Sequence, residues 1–165
     1  FKIGDYITSN GESATVEDIK LFYTHIVTTD NKGVVIPNGQ LANNVIVNAS
    51  AKDTRRVDLV VSVAYGSDVQ EVRRLILEVC NANELAFTDP APFTELSNMG
   101  DSSLDFTVRV WCNRGDYWTV YYSLLSTILS TLEENGIEIP FNQLDVNLKS
   151  LPENAKSTAE KSDVN

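Results

Sequence analysis

Histidine, methionine and cysteine are scarce in this chain of 165 residues, with one, one and two copies respectively. The lone histidine, His25, lies in a Thr-rich segment with no serine or cysteine placed to form a nucleophile–base pair, so imidazole catalysis is not indicated. Cys80 and Cys112 form no Cys-x-x-Cys pair, and their separation fits no common zinc site. They read as two half-buried free thiols, which suit a reducing compartment. The phosphate-cradling Gly-x4-Gly-Lys-Ser/Thr pattern is missing. The acidic pairs Glu17-Asp18 and Glu133-Glu134 read as solvated surface and a helix end, not as an acid–base couple. These absences point away from an enzyme and away from any metal or cofactor.

Long apolar runs are absent too. A membrane-crossing helix needs roughly 18–20 apolar residues, and nothing approaches that. The longest apolar runs, such as Val57 to Tyr65, are interrupted by polar residues. No signal-peptide pattern is visible. The sequence starts at Phe1, without an initiator Met and directly in strand-like sequence. It therefore reads as the interior of a longer protein, whose membrane spans this stretch cannot report. Basic residues are outnumbered, 13 against 23 acidic, for a formal charge of −10. Such a surface repels phosphate backbones and anionic membranes, which argues against nucleic-acid and lipid-surface partners.

What is present is ordinary globular material, 42% hydrophobic. Residues 1–53 are rich in Val, Ile and Thr, with strands expected at Tyr6–Thr8, Ala14–Ile19, Thr24–Thr29, Val34–Pro37 and Val45–Asn48. Asp30-Asn31-Lys32-Gly33 is a hairpin signal and Pro37-Asn38-Gly39 a second turn. Short strands at this spacing predict a small, Sm-like β-barrel.

Residues 54–143 change period. Val57, Leu59, Val61, Val63 and Tyr65 alternate as a strand. Ser67, with Gln70 three residues on, predicts a capped helix whose stripe is Val69, Val72, Ile76 and Val79. Asp89-Pro90-Ala91-Pro92 breaks the chain before a strand at Phe93–Met99. Leu104, Phe106, Val108, Val110 and Cys112 alternate again. Asp116 is expected to cap a helix running to Asn135, with Tyr121, Leu124, Leu125, Ile128 and Leu132 facing inward. Gly136 suits the left-handed stop, and Ile137, Ile139 and Phe141 read as one more strand. The order strand–helix–strand–strand–helix–strand is the split βαβ, or ferredoxin-like, arrangement, so the fold class is α+β. Arg55 and Arg56 sit at the joint, either as a solvated pair or as a bridge to carboxylates of the other domain.

One strand remains. Leu144, Val146 and Leu148 alternate with polar residues over 144–151. They suit either an extra edge strand of the same sheet or a strand that pairs with other subunits. Residues 152–165 form a polar tail expected to be disordered.

Several segments together resemble the MscS family of small-conductance mechanosensitive channels, in its cytoplasmic C-terminal region. They are "FKIGDYI" from Phe1, "GESATVEDI" from Gly11, "TTDNKGVVIPNGQL" from Thr28 with its signature turn Pro37-Asn38, "RRVDLVVSVAYGSD" from Arg55, "SSLDFTVRVWCNRGDYW" from Ser102 and "GIEIPFNQLDV" from Gly136. The resemblance runs from Phe1 to about Leu151. Ala14 stands where the family has glycine, and Asn142 where it has a second proline. The resemblance implies a homo-oligomer, a heptamer in the best-known form. It implies a chamber at the cytoplasmic face of the inner membrane, through which ions and small osmolytes reach a pore made by helices outside this chain. It also assigns Leu144, Val146 and Leu148 to an intersubunit β-barrel. Seven copies would carry a charge of about −70, screened beyond about 8 Å in physiological salt. The competing expectations are a free-standing ligand-binding or interaction module and an RNA-binding Sm-like barrel. The charge opposes the second of these.

Overall fold

Alternation at period two becomes two separate sheets in the computed structural model, which describes residues 1–141. Strands β1 (Tyr6–Ser9), β2 (Glu12–Ile19), β3 (Tyr23–Thr28), β4 (Gly33–Pro37) and β5 (Val47–Asn48) form an antiparallel sheet in the order β4-β3-β2-β1-β5. With β5 returning beside β1, this is a five-stranded small barrel left open between β4 and β5. A register shift between Val16 and Asp18 bends β2, as a bulge does. Asn10 and Gly11, both at positive φ, make the two-residue turn from β1 to β2, and Asn31 does the same after β3. Ile7, Ala14, Val16, Ile26, Ile36 and Leu41 fill the interior. Ala14 is fully buried in a regular strand position, so no glycine is required there.

Two local expectations differ. Pro37-Asn38-Gly39 is not a simple turn, because Asn38 opens the short helix α1 (Asn38–Asn43). Proline's fixed φ suits this strand-to-helix switch. Of Val45–Asn48, only Val47 and Asn48 pair as a strand.

The second sheet has the order β6-β8-β7, built from β6 (Thr54–Val63), β7 (Phe93–Met99) and β8 (Leu104–Asn113). β6 and β8 pair over ten residues, and Val57, Leu59, Val61 and Val63 oppose Val110, Val108, Phe106 and Leu104. All eight face helices α2 (Val69–Ala82) and α3 (Tyr117–Glu134), and form one core with Val72, Ile76, Val120, Leu124 and Leu132. Each fully buried side chain of this size contributes about 1.5–3 kcal/mol.

Asp68, rather than Ser67, caps α2, accepting from the backbone N–H groups of Gln70 and Glu71. Ser67 instead donates to the carbonyl of Ala64. Asp116 caps nothing through its side chain, since a 3-10 turn at Arg114–Asp116 leads into α3. On α3, Val120 takes the buried place expected of Leu125, which is exposed.

The expected strand at Ile137, Ile139 and Phe141 joins no ladder. The N–H groups of Gly136 and Ile137 close the end of α3 on the carbonyls of Glu133 and Leu132, so this stretch starts as a helix stop. One bond, from Ala64 N–H to the Glu138 carbonyl at 2.9 Å, places it beside the end of β6. That is where the fourth strand of a split βαβ sheet lies. Leu144, Val146, Leu148, Asn142 and the tail 152–165 lie outside the described residues.

Candidate functional site

Asn38 is the most heavily used side chain of the first sheet. Its amide nitrogen donates to the carbonyls of Lys20 at 2.8 Å and Leu21 at 3.0 Å, and its amide oxygen accepts the Thr24 hydroxyl at 2.8 Å. Its backbone N–H donates to the Phe22 carbonyl at 2.8 Å. Four bonds from one residue thus hold the β2–β3 connection, whose Leu21 and Phe22 side chains stand out into solvent. An asparagine is suited to this, because it alone among small side chains offers two donors and an acceptor on one plane. Pro37 supplies the entry angle.

At the joint between the sheets, Arg55 and Arg56 part company. The Arg55 guanidinium sits 3.6 Å from the centroid of the Tyr117 ring, tying the start of β6 to the start of α3. Arg56 donates to Asp58 at 2.8 Å within its own strand and lies 6.0 Å from the Trp111 ring. The contact to the first sheet's side comes from Arg114. Its guanidinium bonds the Ser50 carbonyl, and its N–H donates to the Asp53 carbonyl at 2.8 Å. Ser50 in turn accepts the Tyr6 N–H at 2.9 Å. Arg114 belongs to the Asn113-Arg114-Gly115 stretch that sequence marks only as a strand end. Its role depends on where the linker 49–53 passes.

Titratable groups are structural. The Asn48 amide and the Lys2 backbone N–H hold the nearly buried Asp5 carboxyl below the usual carboxylate range. Asn98, Ser62 and Ser103 do the same for Asp105. Burial pushes the Cys80 thiol up to about 12, and burial with the nearby Asp116 raises Cys112. Lys20, Lys32, Arg56, Arg73, Arg74 and Arg109 all form ion pairs with neighbouring carboxylates. Among the described residues no His/Cys/Asp/Glu group could hold a metal ion, and no helix is long and apolar enough to cross a membrane.

This arrangement of a clamped small barrel followed by a split βαβ layer matches known proteins. Residues 1–51 match the family described as "Mechanosensitive ion channel, beta-domain", and residues 57–139 match "Mechanosensitive ion channel MscS, C-terminal". The chain belongs to the MscS family. A small-conductance mechanosensitive channel of Edwardsiella ictaluri is 38% identical over 148 residues, covering 90% of this chain and 52% of that protein. One of Helicobacter pylori is 36% identical over 151 residues, covering 91% and 55%. The crystal structure of Helicobacter pylori MscS in its closed state superposes with a TM-score of 0.86 at 36% identity, covering 92% of this chain and 60% of that one. Arabidopsis thaliana MSL1, at 19% identity and a TM-score of 0.71, shares the fold. The chain spans about half the length of the curated relatives it matches. Like its family, this MscS-type chain is no enzyme, and its clamps and joints are structural fittings.

Proposed function

We propose that this chain forms the vestibule of a mechanosensitive channel. In this reading copies assemble as a homo-oligomer, a heptamer, at the cytoplasmic face of the inner membrane. Membrane tension acts on helices outside the chain, and ions and small osmolytes pass through the chamber on their way out. The observation that carries it is the unbroken match of both family parts, in order, together with the close superposition on a closed-state MscS channel. Leu144, Val146 and Leu148 would add to an intersubunit barrel, Arg55 and Arg56 would stiffen the domain joint, and Pro37 and Asn38 would hold the signature turn.

The charge distribution supports a filtering role. Thirteen basic residues face 23 acidic ones, and the ion pairs above spend much of the positive charge locally. A chamber walled by such subunits concentrates cations near its openings. Reversal potentials of the parent channel under a salt gradient test this. Cation preference that weakens when exposed carboxylates are neutralised is expected. An anion preference traced to this region overturns the filter, and a parent protein that passes no tension-dependent current overturns the channel reading itself.

A further inference from the structure

Helix α3 is apolar on two faces. One face, Val120, Leu124, Ile128 and Leu132, is buried in the chain's own core. The other is a line of Trp118, Tyr122, Leu125 and Leu129, which are 56%, 61%, 47% and 42% exposed. Their spacing of four, three and four is that of a helix–helix seam. The Trp118 and Tyr122 rings already stack, with centroids 5.7 Å apart. Exposed Val60 on β6 and Ile139 continue the surface, and with Leu125 and Leu129 they line a groove of about 290 Å³.

The charge pattern names the occupant. From Tyr117 to Leu132 no residue is charged, in a chain whose overall content of charged residues is 22%. A nucleic acid or lipid headgroup would find no cation on this strip, and a basic partner would find no carboxylate. Two copies of a −10 chain repel each other at most approaches, but not where an uncharged strip forms the contact. Aromatic enrichment with depletion of charge is also the composition of interface centres.

We propose that the Trp118–Tyr122–Leu125–Leu129 seam is a contact surface for a second copy of this chain. It rests on the homo-oligomeric reading above and locates one of its contacts. The test is sedimentation equilibrium of the 165-residue chain, of the double variant Leu125→Glu/Leu129→Glu and of the conservative Leu125→Met/Leu129→Met, with circular dichroism to establish folding. The seam predicts that the wild type and the methionine variant assemble, and that the glutamate variant dissociates with an affinity loss of about 100-fold or more. A folded glutamate variant that keeps the wild-type mass overturns the seam and leaves the oligomer standing. A wild type that stays monomeric overturns both. Should the glutamate variant not fold, Leu129→Cys with a short bismaleimide decides the matter, because the native Cys80 and Cys112 are buried. Cross-linked copies support the seam, and uncross-linked oligomers overturn it.

Discussion

The hydroxyl of Thr24 donates to the amide oxygen of Asn38 at 2.8 Å, fourteen residues along the chain. Thr24 is buried in β3, and the bond fixes the plane of the Asn38 amide. Fixed in that plane, its nitrogen meets the carbonyls of Lys20 and Leu21 together.

Replacing Asn38 should therefore cost more than a surface asparagine does. Asn38→Ala removes three side-chain hydrogen bonds and should lower unfolding free energy by about 2 kcal/mol in urea titration. Asn38→Asp keeps the acceptor for Thr24 but loses both donors, and sets a carboxylate against two carbonyls. It should be no better than alanine. An aspartate variant as stable as the wild type would show that the two donated bonds carry no net stability.

Acid should weaken the fold through its held carboxylates. Asp5 and Asp105 have pKa values depressed in the folded state by their hydrogen-bond donors. Between the folded value and the unfolded one, about 3.9, the unfolded chain binds more protons. Their stabilisation is therefore complete above the unfolded value and is lost as pH falls through the folded one. Asp5→Asn should be less stable at neutral pH and show a shallower loss between pH 5 and pH 2. Midpoints of urea unfolding across that range would measure both effects, and parallel curves for the two proteins would remove Asp5 from the account.

The thiols should be silent in the native state. Cys80 is buried with its pKa raised to about 12, and Cys112 is buried with its pKa raised as well. At pH 8 neither presents appreciable thiolate, so the aromatic disulfide reagent of a standard thiol assay should label neither within minutes. In denaturant both should react at once. Fast labelling of one thiol in the folded chain would mean that α2 or β8 opens locally.

Much of the layout was legible at the level of single elements. β6 and β8 are long alternating runs buried on one side, and Asn and Gly mark the turn after β3, so local chemistry and burial agree. The α2 cap slipped by one residue because Ser67 and Asp68 are both good capping residues. Which of them caps depends on where Gly66, at positive φ, turns the chain. The fourth strand was overestimated for a related reason. Ile137, Ile139 and Phe141 alternate, but the first backbone group is committed to ending α3.

The family's sequence signature also marks Pro37 and Asn38, yet the reason for them is spatial. Neither periodicity nor propensity shows that an asparagine after β4 reaches back to the turn after β2. The joint is similar. Arg55 and Arg56 stand at the boundary in the sequence, but Arg114 reaches the linker because β8 runs antiparallel to β6 and delivers its end beside the start of β6.

What the sequence determined by itself is the period of each element, the two-part α+β order and the absence of chemistry for catalysis. These follow from local burial patterns and from which residue types are present. What only the tertiary structure decided is which apolar face of α3 is spent on the core. Seen alone, α3 offers Leu124 and Leu125, or Ile128 and Leu129, as equal neighbours. The sheet covers Leu124 and Ile128 and leaves Leu125 and Leu129 exposed. A helix with apolar residues on two sides can bury only one of them against a single sheet, and the angle at which it packs selects which.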